Sequence, residues 1–264
     1  MEYADGSMLA EKEAGIGWMT FNNPARRNAM TMEMWQGTDA ILADFEADPE
    51  VRVIVLKGAG DKAFVSGADI SQFEKNRADA AAAARYAAAT DAGRQRLAGA
   101  EKPVIAMIRG FCLGGGLGIA MTCDLRFAAE GSEFGIPAAR LGIAYNFENV
   151  RSLVGLVGMA RAKDILFSGR RLSAEEAYAV GLVDRVLPAA ELETHVRDYA
   201  ARLAANAPLS IRASKLTIRE VVADRQEREA GLVEALARAC FDSAAYREGR
   251  TAFMEKRRPV FTGR

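Results

Sequence analysis

The stretch Arg109-Gly110-Phe111-Cys112-Leu113-Gly114-Gly115-Gly116-Leu117-Gly118-Ile119-Ala120 joins an apolar run at 103–108 to an apolar helical pattern through three consecutive glycines. A short apolar run entering a glycine loop reads as a buried strand, and the residues after the loop read as a helix. Amides at such a helix N-terminus have no intrahelical acceptor and stand at the positive end of the helix dipole, so they suit an anion or a developing negative charge. Glycine also lets a ligand approach the backbone closely. The same residues would equally serve a tightly packed or flexible turn, and the motif alone leaves both readings open.

On either side the pattern recurs. Residues 51–56 form a short apolar run ending in Gly58-Ala59-Gly60, followed by Lys62-Ala63-Phe64-Val65-Ser66-Gly67-Ala68-Asp69-Ile70, and residues 124–129 enter Gly131-Ser132. Residues 8–21 read as a strand pair turning at Ala14-Gly15 and closed by Asn22-Asn23-Pro24. Residues 31–48 show helical spacing of Met34, Trp35, Ile41, Leu42 and Phe45, stopped by Pro49. The alanine-rich stretch 78–97 has high helix propensity and little bulky apolar surface, which predicts a helix packed lightly over the site. Beyond Val150 the strand signals fade, and helical segments are expected at 152–163, 173–180, 189–205 and 209–239, with a last one at 246–261 broken at Pro259. No internal repeat stands out. Strands ending in glycine loops and alternating with helices predict an α/β fold with ligand contacts at the strands' carboxyl ends. The division is an α/β core over 1–190 and a helical region over 191–264.

The chain has 264 residues, half of them apolar, enough for one large core. Lys plus Arg equal Asp plus Glu at 35 each, so no global field favours nucleic acid or an acidic membrane surface. Cys112, Cys123 and Cys240 lack metal-type spacing, and without a signal-peptide pattern they read as reduced buried thiols of a cytoplasmic protein. No apolar run reaches membrane-spanning length: the richest, 104–121, contains Arg109 and five glycines. No metal is expected. His195, the single histidine, lies in a polar helix with Glu191, Glu193 and Arg197 and reads as solvated surface.

The stretches 64–70 and 110–120, followed by Cys123-Asp124 and Phe134-Gly135-Ile136-Pro137, resemble the signature of the crotonase (enoyl-CoA hydratase/isomerase) family. The resemblance starts at Asn22-Asn23-Pro24 and continues through Ser173-Ala174-Glu175-Glu176-Ala177, Gly181-Leu182-Val183-Asp184 and Phe253-Met254-Glu255-Lys256-Arg257. It implies a crotonase (ClpP-like) fold, ββα repeats forming a spiral core, with the helices of 191–264 joining subunits into trimers or hexamers. It further implies a coenzyme A thioester whose carbonyl oxygen accepts hydrogen bonds from the amides of Ala68 and Gly115 as enolate charge develops. Such donors typically contribute about 3 kcal/mol or more each. Coenzyme A is then part of the substrate, and no prosthetic group is expected. The loops of Ala25, Arg26, Arg27 and Asn28, and of Ser66, Ala68, Asp69 and Ile70, would hold the adenine and pantetheine arm. Arg26, Arg27 and, from a partner subunit, Lys256 are candidates for the phosphates, and Phe253 would flank the adenine; the cations read equally as solvated charge. Asp69 reads as fixing its loop.

The family's standard hydratases carry two glutamates, at the positions held here by Gly118 and Ala138. A general acid or base commonly contributes a hundredfold or more, so efficient water addition is not expected. Gly118, with Gly114 and Ala138, would line the acyl pocket. A glycine inside a helix destabilises it by about 1 kcal/mol relative to alanine, so position 118 is needed either for helix–helix contact or for room beside the acyl group. The loop Leu141-Gly142-Ile143-Ala144-Tyr145-Asn146-Phe147-Glu148-Asn149 supplies the remaining candidates. Tyr145 falls where the family's malonyl-type decarboxylases carry a tyrosine, Asn146 where dienoyl-CoA isomerases carry an aspartate, and Glu148 is the loop's only carboxylate, a base or a helix-start residue. Decarboxylase, isomerase, atypical hydratase and a coenzyme A-binding homologue with little activity stay open; against the decarboxylase, Ala68 stands just after Ser66-Gly67, where those relatives carry a histidine. RNA binding, known among crotonase relatives through a lysine-rich helix, is disfavoured by Glu33, Asp39, Asp44, Glu46 and Asp48 on the first helix.

Overall fold

The computed structural model describes residues 1–69, 80–224 and 226–262, with backbone alone for 80–87. β1 (Glu2–Tyr3), β2 (Met8–Glu13) and β3 (Ile16–Phe21) form an antiparallel meander, turned as expected at Ala14-Gly15. Thr31 caps α1 (Met32–Ala47) by accepting the Met34 N–H, and the helix ends at Asp48, just before Pro49.

A unit of two strands and a helical return then occurs three times. It runs through β4 (Val53–Gly58), β5 (Ala63–Val65) and α2 (Ala80–Gly99), then β6 (Val104–Ile108), β7 (Phe111–Leu113) and α3 (Gly115–Thr122). The third copy is β8 (Leu125–Ala129), β9 (Glu133–Gly135), a 3₁₀ turn at Pro137–Arg140 and α4 (Phe147–Ser168). In each unit the first strand enters a seven-stranded sheet, order β1-β2-β3-β4-β6-β8-β11, parallel from β3 onward and closed by β11 (Arg185–Leu187). The short second strand enters a smaller sheet, order β10-β9-β7-β5, in which only β10 (Arg171–Ser173) runs antiparallel. These are the expected ββα repeats. Strands β10 and β11, with three residues each, are too short to leave a periodic signal after Val150. Ser173 and Glu176 form a capping box on α5 (Ala174–Ala179).

Both faces of the large sheet are covered, which is why its strands are apolar without alternation. Ile54, Leu56, Ala106 and Ile108 join one buried cluster with α1 and α3. Val53, Val55, Ile105, Met107 and Phe127 join another with Leu192, Val196 and Ala200 of α6 (Leu192–Ala204). Core packing thus runs past residue 190 to the end of α6, because the second face of the sheet needs a helix to bury it. The annex proper is α7 (Pro208–Val222), α8 (Leu232–Asp242) and α9 (Ala244–Glu255), so the helical stretch expected at 209–239 is divided. The last helix also stops short of the expected 261. Lys256 takes a left-handed conformation at φ 53°, and Arg257 and the Val260 N–H both bond back to Glu248. Among the described residues no helix is long and apolar enough to cross a membrane.

Candidate functional site

Two loops leave adjacent strands of the small sheet. After β5 the chain turns at Gly67, φ 118°, and pairs with Met30 as a single parallel rung: Met30 N–H donates to Gly67 O at 2.8 Å and Asp69 N–H to Met30 O at 2.9 Å. The residue between, Ala68, therefore directs its own N–H to the opposite side. After β7, Gly114 donates to Gly135 O at 2.8 Å, passes through φ 52° and starts α3 at Gly115, whose N–H has no intrahelical acceptor. Among the described residues no group accepts a hydrogen bond from either Ala68 or Gly115 N–H. The loops are close: Ala68 N lies 3.9 Å from where a β-carbon on Gly115 would stand, and Gly115 N lies 3.9 Å from one on Gly67. Gly116 permits this approach, since any β-carbon there would drive into the Val65 carbonyl.

On the far side of α3 the space beside Gly118 is occupied. A β-carbon at 118 would stand 3.1 Å from Asn149 Nδ2, 3.2 Å from Asn149 Oδ1 and 3.3 Å from Tyr145 Oη. Gly118 thus serves helix–helix contact, with two polar side chains filling the gap. Tyr145 Oη donates to Gly114 O at 3.0 Å, and burial pushes its phenol well above the usual tyrosine range, partly opposed by the nearby Arg94 guanidinium. Asn149 is buried, and its carboxamide has no hydrogen-bond partner among the described residues. Asn146, expected near the thioester, is the N-cap of α4: its Oδ1 accepts from Asn149 N–H at 3.0 Å, and its Nδ2 reaches Asp91 at 3.4 Å. Glu148 is exposed in the first turn of α4, in agreement with the helix-start reading. Asn149, one helical turn after Tyr145, is the residue the sequence reading passed over. Ala138 is half-buried, and the neighbouring Pro137 ring lies 3.9 Å from a β-carbon position on Gly114.

The candidate coenzyme A loops clasp each other. Ser66 N–H donates to Arg27 O at 3.1 Å, and Arg26 Nη1 meets the Asp69 carboxylate at 3.1 and 3.4 Å. Asp69 therefore fixes the loop, as its reading suggested, and takes much of the Arg26 charge. Asn28 is fully buried: it accepts from Asn23 N–H at 3.0 Å and donates to Ala59 O and Ala63 O at 3.0 and 2.7 Å. Its side chain is committed to holding the loop, so only the backbone there is left to face a ligand. The Arg27 guanidinium sits over the Phe111 ring at 5.1 Å. Ala25 and Ser66 lie at the exposed edge, and Ile70 falls outside the described residues. Phe253 is among the most exposed apolar residues and, with Tyr246 and Phe261, lines a groove on the annex that includes neither loop. Lys256 caps that helix. A single chain does not bring these two residues to the site.

The sequence profile of enoyl-CoA hydratase/isomerase matches residues 11–264. The chain belongs to the enoyl-CoA hydratase/isomerase family. A short-chain-enoyl-CoA hydratase of Clostridium acetobutylicum is 36% identical over 254 residues, 96% of each chain. A crotonyl-CoA hydratase of Syntrophomonas wolfei is 35% identical over 256 residues, 97% of each. The crystal structure of an enoyl-CoA hydratase/isomerase family protein from Hyphomonas neptunium superposes with a TM-score of 0.93 at 36% identity, covering 98% of each chain. The chain is thus an acyl-CoA enzyme of this family with the crotonase fold.

Within this enoyl-CoA hydratase/isomerase fold, His195 is not the solvated surface residue expected. Its ring packs against Phe127 at 5.5 Å and Tyr199 at 6.4 Å, on the sheet face away from α3. Cys112 and Cys123 are buried and burial pushes both thiols up, Cys123 to about 12, whereas Cys240 is half-exposed rather than buried.

Proposed function

We propose that this chain places an acyl-CoA carbonyl oxygen between the N–H groups of Ala68 and Gly115, forms or consumes a thioester enolate there, and is a poor catalyst of simple enoyl-CoA hydration. The pair of unengaged amides on adjoining loops is the observation that carries this reading. Preorganised donors facing one oxygen stabilise the enolate more than the neutral thioester, by about 3 kcal/mol or more each. The curated relatives are named as hydratases, but the side chains beside Gly118 here are a tyrosine and a carboxamide, neither of them a strong base at neutral pH. Loops 25–28 and 66–69 would receive the coenzyme A moiety. Phe253 and Lys256 would act on a neighbouring subunit, in keeping with the exposed Ile218, Val221, Val222 and Phe241 of the annex and with a trimer or hexamer.

Decarboxylation of a malonyl-type thioester fits the same site, since it requires an oxyanion sink and no strong base. One observation favours it. The Arg94 side chain is only 14% exposed, pairs with Asp91, and lies near enough to Tyr145 for its charge to act on the phenol. A cation beside Tyr145, its charge shared with Asp91, would still suit a carboxylated acyl group.

A panel of enoyl-, dienoyl- and malonyl-type CoA thioesters, followed by mass spectrometry, tests these readings. Turnover of at least one thioester is expected, with crotonyl-CoA hydrated slowly. No turnover of any thioester would overturn the enzymatic reading, and crotonyl-CoA hydration at the rate of a two-glutamate hydratase would overturn the restriction. Sedimentation showing a stable monomer would remove the trimer.

A further inference from the structure

Tyr145 has its hydroxyl committed to one atom, the carbonyl oxygen of Gly114, at 3.0 Å. That oxygen belongs to the same peptide unit as the Gly115 N–H. The Gly114–Gly115 bond is trans and planar, so its carbonyl and its N–H point in opposite directions and rotate as one body. Three hydrogen bonds hold the segment: Gly114 N–H to Gly135 O at 2.8 Å, Gly118 N–H to Gly114 O at 3.1 Å, and Tyr145 Oη to the same oxygen. A carbonyl oxygen has two lone pairs, and here both are used. A donor on the carbonyl also draws electron density from the amide nitrogen, so the N–H at the other end becomes a stronger donor, by about 10–30% per bond in condensed-phase estimates.

On the proposed reading that Gly115 N–H faces the thioester oxygen, we propose that Tyr145 is a positioning residue. Its hydroxyl fixes the direction of the Gly115 amide and strengthens it through the Gly114 carbonyl, without touching the reacting acyl group. Burial and the raised phenol pKa keep the hydroxyl protonated, and hence a donor, across the working pH range.

The test compares wild type with Tyr145→Phe, which deletes one oxygen and keeps the ring. The readouts are the carbonyl stretch of a bound, unreactive coenzyme A thioether whose ¹³C-labelled ketone stands where the thioester carbonyl would, taken by infrared difference, and kcat and KM on whichever thioester is turned over. The expected result is a smaller carbonyl downshift in Tyr145→Phe, a kcat lower by about tenfold, equivalent to about 1.4 kcal/mol, and KM within about twofold. Incorporation of a fluorinated tyrosine at 145, a stronger donor, should enlarge the downshift, a change in the opposite direction that misfolding would not produce. A carbonyl stretch identical in all three forms overturns the proposal, and if kcat still falls, the hydroxyl acts on the acyl group itself. A wild-type enzyme that binds the analogue with no downshift relative to water refutes the oxyanion reading instead, so the two failures are distinguishable.

Discussion

Two glycines on one helix give a paired test of what the packing around α3 demands. Gly116→Ala and Gly118→Ala make the same chemical change two residues apart, and each gains about 1 kcal/mol of intrinsic helix propensity. They differ in what the new methyl meets. At 116 it runs into the Val65 carbonyl, backbone of a core strand hydrogen-bonded to its neighbour, which cannot yield without moving the sheet. Overpacking of this kind costs about 3 kcal/mol, leaving a net loss of about 2 kcal/mol after the propensity gain. At 118 it meets the ends of two side chains at 3.1–3.3 Å, which need to give by only a few tenths of an ångström. The net change there should stay within about 1 kcal/mol of wild type. For a chain of this size 1 kcal/mol shifts the melting temperature by about 2–4 °C, so Gly116→Ala should melt about 4–8 °C lower and Gly118→Ala within about 4 °C of wild type. Thermal unfolding at matched protein concentration measures both, and turnover of Gly118→Ala should nevertheless fall, because Tyr145 and Asn149 are displaced. Equal melting temperatures for the two variants would refute the assignment of these contacts.

Asn149→Leu removes a carboxamide that makes no side-chain hydrogen bond among the described residues, so it should leave stability within about 1 kcal/mol of wild type while lowering kcat; a larger drop in melting temperature would show that the amide is structural. An aromatic disulfide reagent at pH 8 should titrate Cys240 alone in the native protein and three thiols after unfolding, because Cys112 and Cys123 are buried with raised pKa values. Asp184→Asn breaks a 2.9 Å pair with the buried Arg126 and should destabilise by about 2–3 kcal/mol, below the fully buried range because Asp184 is partly exposed. The raised phenol pKa of Tyr145 stabilises the fold below the ordinary tyrosine value of about 10, and that stability is lost as pH rises above it. Denaturant unfolding between pH 8 and 11 should therefore decline less steeply in Tyr145→Phe than in wild type.

The elements that are apolar throughout, turn at glycine or stop at proline were legible before the structure: the hairpin at Ala14-Gly15, α1 ending before Pro49, and the strands entering Gly58 and Gly110. What failed had local physical causes. Three-residue strands such as β10 and β11 carry too few residues for a period, and the end of α9 is set by Glu248 folding the tail back, through contacts nine and twelve residues away in the chain. The threefold ββα unit is invisible as a repeat because only its apolar strands and glycine turns persist, while its helical returns differ in kind. At the site, the two glycine loops were legible because close backbone approach leaves few residue choices. On the acyl side, the surroundings of Asn146 and Glu148 depend on where α4 begins, which the loop's composition does not fix. Taking Asn146 as an N-cap would have placed Asn149, Leu153 and Val157 on one helical stripe, and all three are indeed buried. For Asn28, nothing in its neighbours signals that its side chain turns inward to hold Ala59 and Ala63.

Strands β5 and β7 are hydrogen-bonded neighbours, and Ala68 and Gly115 each follow the end of one of them by two or three residues. Adjacent strands stand about 4.8 Å apart, a separation at which two N–H donors, each about 2.9 Å from a shared acceptor, can converge on a single oxygen. On the proposed reading the gap between the donors is therefore not tuned by either loop; it is the pitch of the sheet itself, used as a ruler. A chain that varies its acyl pocket residue by residue can leave that spacing untouched, and only a change that alters the pairing of β5 with β7 would move it.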